Sequence, residues 1–169
     1  HPQCRYAARD LEHFAAKMAA GADSAITQFF FNPDAYFHFV EQARKVLGTK
    51  IVSAWGMTEN GAVTLIKLDD DDQLAFSTDG CPLQGVEVKV MDFDGKPMPA
   101  GEVGKLVVRA CSNFGGYLKR PQWNNTDAQG WFDTGDLATI NANGYIRISG
   151  RSKDVIIRGG ENIPVFEIE

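Results

Sequence analysis

Residues 86–109 read VEVKVMDFDGKPMPAGEVGKLVVR. Val86 to Met91 alternates apolar and polar residues, Asp92-Phe93-Asp94-Gly95 is a turn, and Val103 to Arg109 is the returning strand. This is the signature of a β-hairpin. The pattern recurs downstream: Leu137 to Ile140, the turn Asn141-Ala142-Asn143-Gly144, and Tyr145 to Ser149 predict a second hairpin. Asp154 to Arg158 reads as a further apolar strand and Ile51 to Trp55 as a short one. Residues 49–169 are therefore expected to be mainly β, with many turns.

Residues 1–48 have a different texture. Asp10 to Ala20 places Leu11, Phe14, Ala15, Met18 and Ala19 on one helical face. Asp10 suits the cap of that helix and Gly21 its C′ position. Ser24 to Phe31 (SAITQFFF) suits a strand buried on both sides, as in a parallel sheet. Asn32-Pro33-Asp34 turns the chain, and residues 35–47 recover helical spacing through Tyr36, Phe39, Val40, Ala43 and Leu47. The expected class is α+β, a helix–strand–helix piece followed by a hairpin-rich region.

Composition narrows the function. With 169 residues, 44% of them apolar, the chain can bury a core, and wholesale disorder is excluded. No run of about 18 apolar residues exists to span a bilayer. The net charge of −5 argues against nucleic acid as main partner, because phosphate binding needs a basic patch. Residues 1–48 carry five basic and five acidic residues; residues 49–169 carry twelve and seventeen and hold all of the net charge. Cys4, Cys81 and Cys111 lie far apart without CxxC spacing, so they read as reduced, buried thiols of a cytoplasmic protein. The run Asp69 to Asp72 reads as a solvated loop, since four adjacent carboxylates do not converge on one ion. The chain opens on His1-Pro2 and stops mid-pattern at Val165 to Glu169, which suggests a piece of a longer protein.

Three stretches of the second region carry the residue types of nucleotide chemistry. Trp55-Gly56-Met57-Thr58-Glu59-Asn60 leaves a strand for a loop. Gly56 would let the backbone approach a ligand, Thr58 offers a neutral donor to a phosphate oxygen, and Glu59 offers a hard anionic oxygen to Mg²⁺. An ordinary strand-end turn accounts for the same residues. Gly130-Trp131-Phe132-Asp133-Thr134-Gly135-Asp136 sets two carboxylates around a glycine turn, in a loop anchored by aromatics. A carboxylate there can accept both hydroxyls of a ribose, or the two aspartates only cap backbone N–H groups in an Asx turn. In Gly144 to Asp154 (GYIRISGRSKD) Gly150 breaks a strand before Arg151, whose fork-shaped guanidinium can reach ribose or phosphate. Lys153-Asp154 also suits a surface pair, and Arg158-Gly159-Gly160-Glu161-Asn162 suits a bending loop.

Together, and in this order, WGMTEN, GWFDTGD, GYIRISGRSKD and IIRGGENIPVFEIE resemble the adenylate-forming superfamily of acyl- and aryl-CoA synthetases, luciferases and peptide-synthetase adenylation domains. The stretch Asn113-Phe114-Gly115-Gly116-Tyr117 and Pro121 also fits. The likeness covers about residues 44–169 and is nearest to carboxylic acid–CoA ligases acting on medium-chain or alicyclic acids, in the sphere of fatty acid metabolism. It implies a two-step reaction. A carboxylate attacks the α-phosphate of ATP, forming an acyl-adenylate and releasing pyrophosphate; the CoA thiol then attacks the acyl carbon and releases AMP. It further implies that Thr58 contacts the AMP phosphate, that Glu59 holds Mg²⁺, and that Asp136 binds the ribose hydroxyls with support from Arg151. Trp55, beside Gly56, takes the place of an aromatic near adenine, usually Tyr. Lys153 falls at the hinge between large and small domains, and Gly159 and Gly160 line the CoA path. The family's Ser/Thr/Gly-rich phosphate loop is not found upstream of Trp55, and its C-terminal lysine belongs beyond Glu169. Since phosphoryl chemistry depends on pre-placed positive charge, the chain by itself is expected to be a poor catalyst or none.

Residues 1–43 resemble another family. His1-Pro2, Asp10-Leu11, Lys17 and the string AGADSAITQFFF from Ala20 to Phe31 are similar to methylenetetrahydrofolate reductase, a flavin-dependent (β/α)₈ barrel. By position His1, Asp10 and Lys17 match flavin-contacting residues and Gln28 a folate-contacting one. One such piece cannot enclose a flavin, so bound FAD is not expected. The resulting division is 1–43, 44–152 (end of the adenylate-forming large domain) and 153–169 (hinge and start of the small domain). Natural fusion, artefact and deliberate construction of this chimera stay open. So do two rival functions: a non-catalytic interaction module, and a remnant of a flavin-dependent reductase.

Overall fold

A computed structural model describes residues 7–23, 32–48, 50–152, 155–158 and 161–164, the last two segments by their backbone. The chain separates into two compact units, His1–Ile51 and Val52–Glu169.

In the first unit the described residues form two helices. Helix α1 spans Ala7–Ala19 and helix α2 spans Pro33–Leu47. Because α1 starts at Ala7, Asp10 lies inside its first turn rather than capping it; its charge still favours the positive helix end. Gly21 ends α1 as expected: its N–H donates to the Met18 carbonyl at 3.0 Å and the Ala22 N–H to that of Lys17 at 3.3 Å, the paired bonds of a Schellman motif. In α2 the Asn32 side chain accepts the Asp34 N–H at 2.9 Å, so the expected turn is an N-cap followed by proline at the first helical position. Tyr36, Phe39, Val40, Ala43 and Leu47 form the less exposed stripe of α2, as their spacing predicts. The expected strand Ser24 to Phe31 lies outside the described residues.

The second unit is built from antiparallel strands. β1 (Ala54–Met57), β2 (Gly61–Leu65) and β3 (Cys81–Pro82) form one sheet, with the short helix α3 (Asp72–Ser77) between β2 and β3. β4 (Glu87–Met91), β5 (Gly104–Arg109), β6 (Phe132–Ile140) and β7 (Ile146–Arg151) form a four-stranded sheet in chain order. β8 (Val155–Arg158) and β9 (Glu161–Pro164) make a separate hairpin. Both hairpins read from the sequence are present, as β4–β5 and β6–β7. The core gathers Val63 of β2 with Val90, Leu106, Val108, Ala138 and Ile146 of the larger sheet. Trp55, Met98 and Ile148 pack against it.

Several expectations change in detail. The first strand begins at Ala54 rather than Ile51, where pairing to β2 starts. The acidic run is structural rather than merely solvated. Asp71 caps α3 by accepting the Leu74 N–H at 2.6 Å, and Asp70 accepts the Lys67 N–H at 2.8 Å and the Tyr145 hydroxyl at 2.7 Å. The buried-thiol reading fails for Cys111, which is exposed, while Cys81 is half-buried and Cys4 lies outside the described residues. Among the described residues no helix is long and apolar enough to cross a membrane.

Candidate functional site

The stretch Gly130 to Asp136 was expected as a loop, yet most of it is the start of β6. Phe132, Thr134 and Asp136 turn to the buried side, while Asp133 and Gly135 are half-buried. Gly135 has φ +73°, which a side-chain-bearing residue adopts only with strain. That local twist lets Asp133 accept the Gly135 N–H at 3.0 Å while its other oxygen pairs with Lys105 Nζ at 2.6 Å. Asp133 therefore does what an Asx turn requires.

Asp136 does something else. It stands opposite Arg151 in the β6–β7 register, and Arg151 Nε lies 2.9 Å from Asp136 Oδ1. The Asp136 side chain is 8% exposed and that of Arg151 59%. Burial pushes the Asp136 carboxyl above the ordinary range; Arg151 opposes that shift and Asp133 adds to it. Ser152 closes the corner, donating from both N–H and hydroxyl to the Gly135 carbonyl at 2.8 and 3.0 Å. Gly150 does not end the strand, which runs through a bulge beside it to Arg151. One carboxylate and one guanidinium, each with hydrogen-bonding capacity left, thus meet at a strand end, a pairing suited to vicinal hydroxyls.

Thr58 and Glu59 occupy the turn between β1 and β2. Thr58 is exposed and Glu59 half-buried. Gly56 is explained by a different approach from the one expected. A Cβ there would lie 1.9 Å from the Gly61 carbonyl oxygen, so its smallness admits the opposing strand. Trp55 packs on the core. Asn60 is fully buried beneath the turn, its Oδ1 accepting the Met57 N–H at 3.1 Å.

The segment Ser112 to Tyr117 backs this turn, and the sequence reading gave it no role. Ser112 Oγ donates to the Asn60 carbonyl and the Phe114 N–H to the Glu59 carbonyl, each at 2.7 Å. The Tyr117 hydroxyl donates to Glu59 Oε1 at 2.5 Å, and that bond raises the Tyr117 pKa. The Phe114 ring meets Phe132, at the start of β6, at 5.6 Å edge-on. Turn and aspartate strand are thereby joined through one aromatic. Among the described residues no hydrogen bond or ion pair runs directly between the Thr58–Glu59 turn and the Asp136–Arg151 pair.

A divalent ion bound by protein side chains alone has no support, for no three His, Cys, Asp or Glu side chains converge among the described residues. A single carboxylate with one oxygen uncommitted does fit Mg²⁺ carried by nucleotide phosphates, which supply the other hard ligands. Lys153, Gly159, Gly160, His1 and Gln28 lie outside the described residues. Asp10 and Lys17 both lie on α1, half-buried in the first turn and exposed in the last.

Comparison with known proteins adds to this geometry. The AMP-binding enzyme family model matches residues 36–118 and the methylenetetrahydrofolate reductase model matches residues 1–58. Over most of its length this chain resembles the adenylate-forming acid ligases. Enterobactin synthase component E of Escherichia coli is 44% identical over 126 residues, 73% of this chain and 23% of that protein. The medium-chain fatty-acid–CoA ligase of the same organism is 40% identical over 124 residues, 72% of this chain and 22% of its own length. The chain thus spans about a quarter of the length of these relatives. In structure it is similar to ATP-bound MatB from Rhodopseudomonas palustris, with a TM-score of 0.65 and 33% identity over 78% of this chain and 26% of that one. The adenylate-forming likeness and the mixed helix and antiparallel-sheet class expected from the sequence are both borne out. The two family matches overlap across residues 36–58, which include most of α2.

Proposed function

We propose that the second unit supplies the ribose- and metal-binding side of an ATP-dependent acid–CoA ligase. The observation that carries this is the pairing of buried Asp136 with Arg151 across β6 and β7. In this reading the Asp136 carboxylate accepts the two ribose hydroxyls. Arg151 offsets part of the burial that raises this carboxyl and reaches the same sugar. The Thr58 hydroxyl donates to the α-phosphate and Trp55 flanks the base. Glu59 offers its uncommitted oxygen to Mg²⁺, which when bound neutralises phosphate charge. Lys153 serves as hinge residue and Gly159-Gly160 as the wall of the CoA path. The domain division at 43/44 and 152/153 belongs to this proposal.

We expect the chain by itself to bind nucleotide without carrying out adenylation. Titration of AMP into wild type and Asp136→Ala, followed by NMR chemical shifts, tests the reading. Saturable shifts in wild type that vanish in the variant are expected. Equal affinity removes Asp136 from the site, and no binding by either protein favours a non-catalytic module. Absence of acid-dependent ATP–pyrophosphate exchange checks the inactivity.

A second reading concerns residues 1–58 and rests on their reductase match. We propose that α1 and α2 correspond to one unit of a flavin-dependent barrel that binds no flavin by itself. Purified protein with visible flavin absorbance contradicts this.

A further inference from the structure

The turn at Glu59 and Asn60 is tied to one loop at three points. The Glu59 carbonyl accepts the Phe114 N–H at 2.7 Å, the next carbonyl accepts Ser112 Oγ at 2.7 Å, and the Glu59 carboxylate accepts the Tyr117 hydroxyl at 2.5 Å. Tyr117 is fixed in turn. Its N–H donates to Asn124 Oδ1 at 2.8 Å, and its ring meets Phe114 at 4.8 Å and Trp123 at 6.4 Å, both edge-on. A glutamate on a turn has several rotatable bonds, and a ligand group recruited from many rotamers binds a metal weakly. Partners that orient such a group act on metal affinity without touching the metal. The phenol engages Oε1, and among the described residues Oε2 has no hydrogen bond.

We propose that Tyr117 is the positioning residue for Glu59, anchoring one carboxylate oxygen so that the other is held ready for the divalent cation of a nucleotide complex. This rests on the reading of Glu59 as the metal-side carboxylate. Tyr117 acts only through Glu59.

The test is calorimetric titration of ATP and of AMP at graded Mg²⁺ concentrations, using wild type, Tyr117→Phe, Glu59→Gln and Trp123→Leu. Tyr117→Phe keeps the ring and its aromatic contacts, so folding is preserved, and melting curves confirm that. In wild type, ATP affinity is expected to rise with Mg²⁺. Tyr117→Phe should shift the Mg²⁺ concentration giving half of that rise upward by about 10-fold, leaving AMP affinity without Mg²⁺ unchanged. Glu59→Gln should abolish the rise, and Trp123→Leu should leave it in place. A Tyr117→Phe variant that matches wild type while Glu59→Gln loses the response overturns the positioning role and leaves Glu59 standing. A full response in Glu59→Gln overturns both. An equal shift in Trp123→Leu assigns the effect to ring packing and overturns the role of the hydroxyl.

Discussion

Replacing Asp136 by Asn removes a charge and preserves shape, so it separates a residue kept for folding from one kept for binding. The Asp136 side chain is 8% exposed and that of its partner Arg151 59%. An ion pair with one member so exposed contributes at most about 1 kcal/mol. Against that stands the desolvation of the buried charge, the largest influence on this carboxyl. The two oppose each other, so Asp136→Asn should change unfolding free energy by no more than about 1 kcal/mol, a few degrees in Tm. Nucleotide affinity should respond far more. Losing charge-assisted acceptance of the ribose hydroxyls removes about 1.5–3 kcal/mol, or roughly 10- to 150-fold in Kd. The pH dependence follows from the raised carboxyl. Between the ordinary value of 3.8 and its raised value, the folded chain holds a proton that the unfolded chain has released. Wild-type stability attributable to this group is therefore present below that window and declines as pH rises through it, whereas Asp136→Asn lacks the decline. AMP binding by wild type should strengthen over the same interval as the acceptor ionises. Melting curves and AMP titrations from pH 4 to 7 measure both. A variant that melts more than about 8 °C lower yet binds AMP like wild type refutes the argument.

Two further outcomes depend on packing. Gly56→Ala should destabilise the second unit by about 3 kcal/mol or more in urea denaturation, because the new Cβ meets the Gly61 carbonyl oxygen at 1.9 Å and strand pairing must part. Tyr145 is buried and donates to Asp70 Oδ1 at 2.7 Å, and that bond is the main reason its hydroxyl resists ionisation. Tyr145→Phe should therefore lose about 1.5–3 kcal/mol in the same assay. In wild type the stabilisation from Tyr145 is present below pH 10 and lost above it, and phenolate absorbance should show one tyrosine titrating late.

What could be read from the residues depended on range. The β4–β5 hairpin was plain because Val86 to Met91 alternates and turn residues follow at once. The partnership of Asp136 with Arg151 was expected only from the family likeness; that both flank the hairpin turn at Asn141 to Gly144 is what brings them together. Gly130 to Asp136 was misread as a loop because its glycines and aspartates are turn formers; neighbouring strands impose extended structure and leave a twist at Gly135. Asp71 as helix cap could not be told from its three acidic neighbours, because capping depends on where α3 begins. The bond from Tyr117 to Glu59 spans 58 residues, beyond any local pattern. Its one trace was the motif Asn113 to Tyr117, noticed as part of a likeness without a role.

The grip on the sugar is tested most directly by comparing AMP with 2′,3′-dideoxy-AMP on wild type and Asp136→Ala. Wild type should bind AMP more tightly than the dideoxy nucleotide, and the variant should bind both with the same low affinity. Wild type that binds the two nucleotides equally well contradicts the assignment of Asp136 to the ribose.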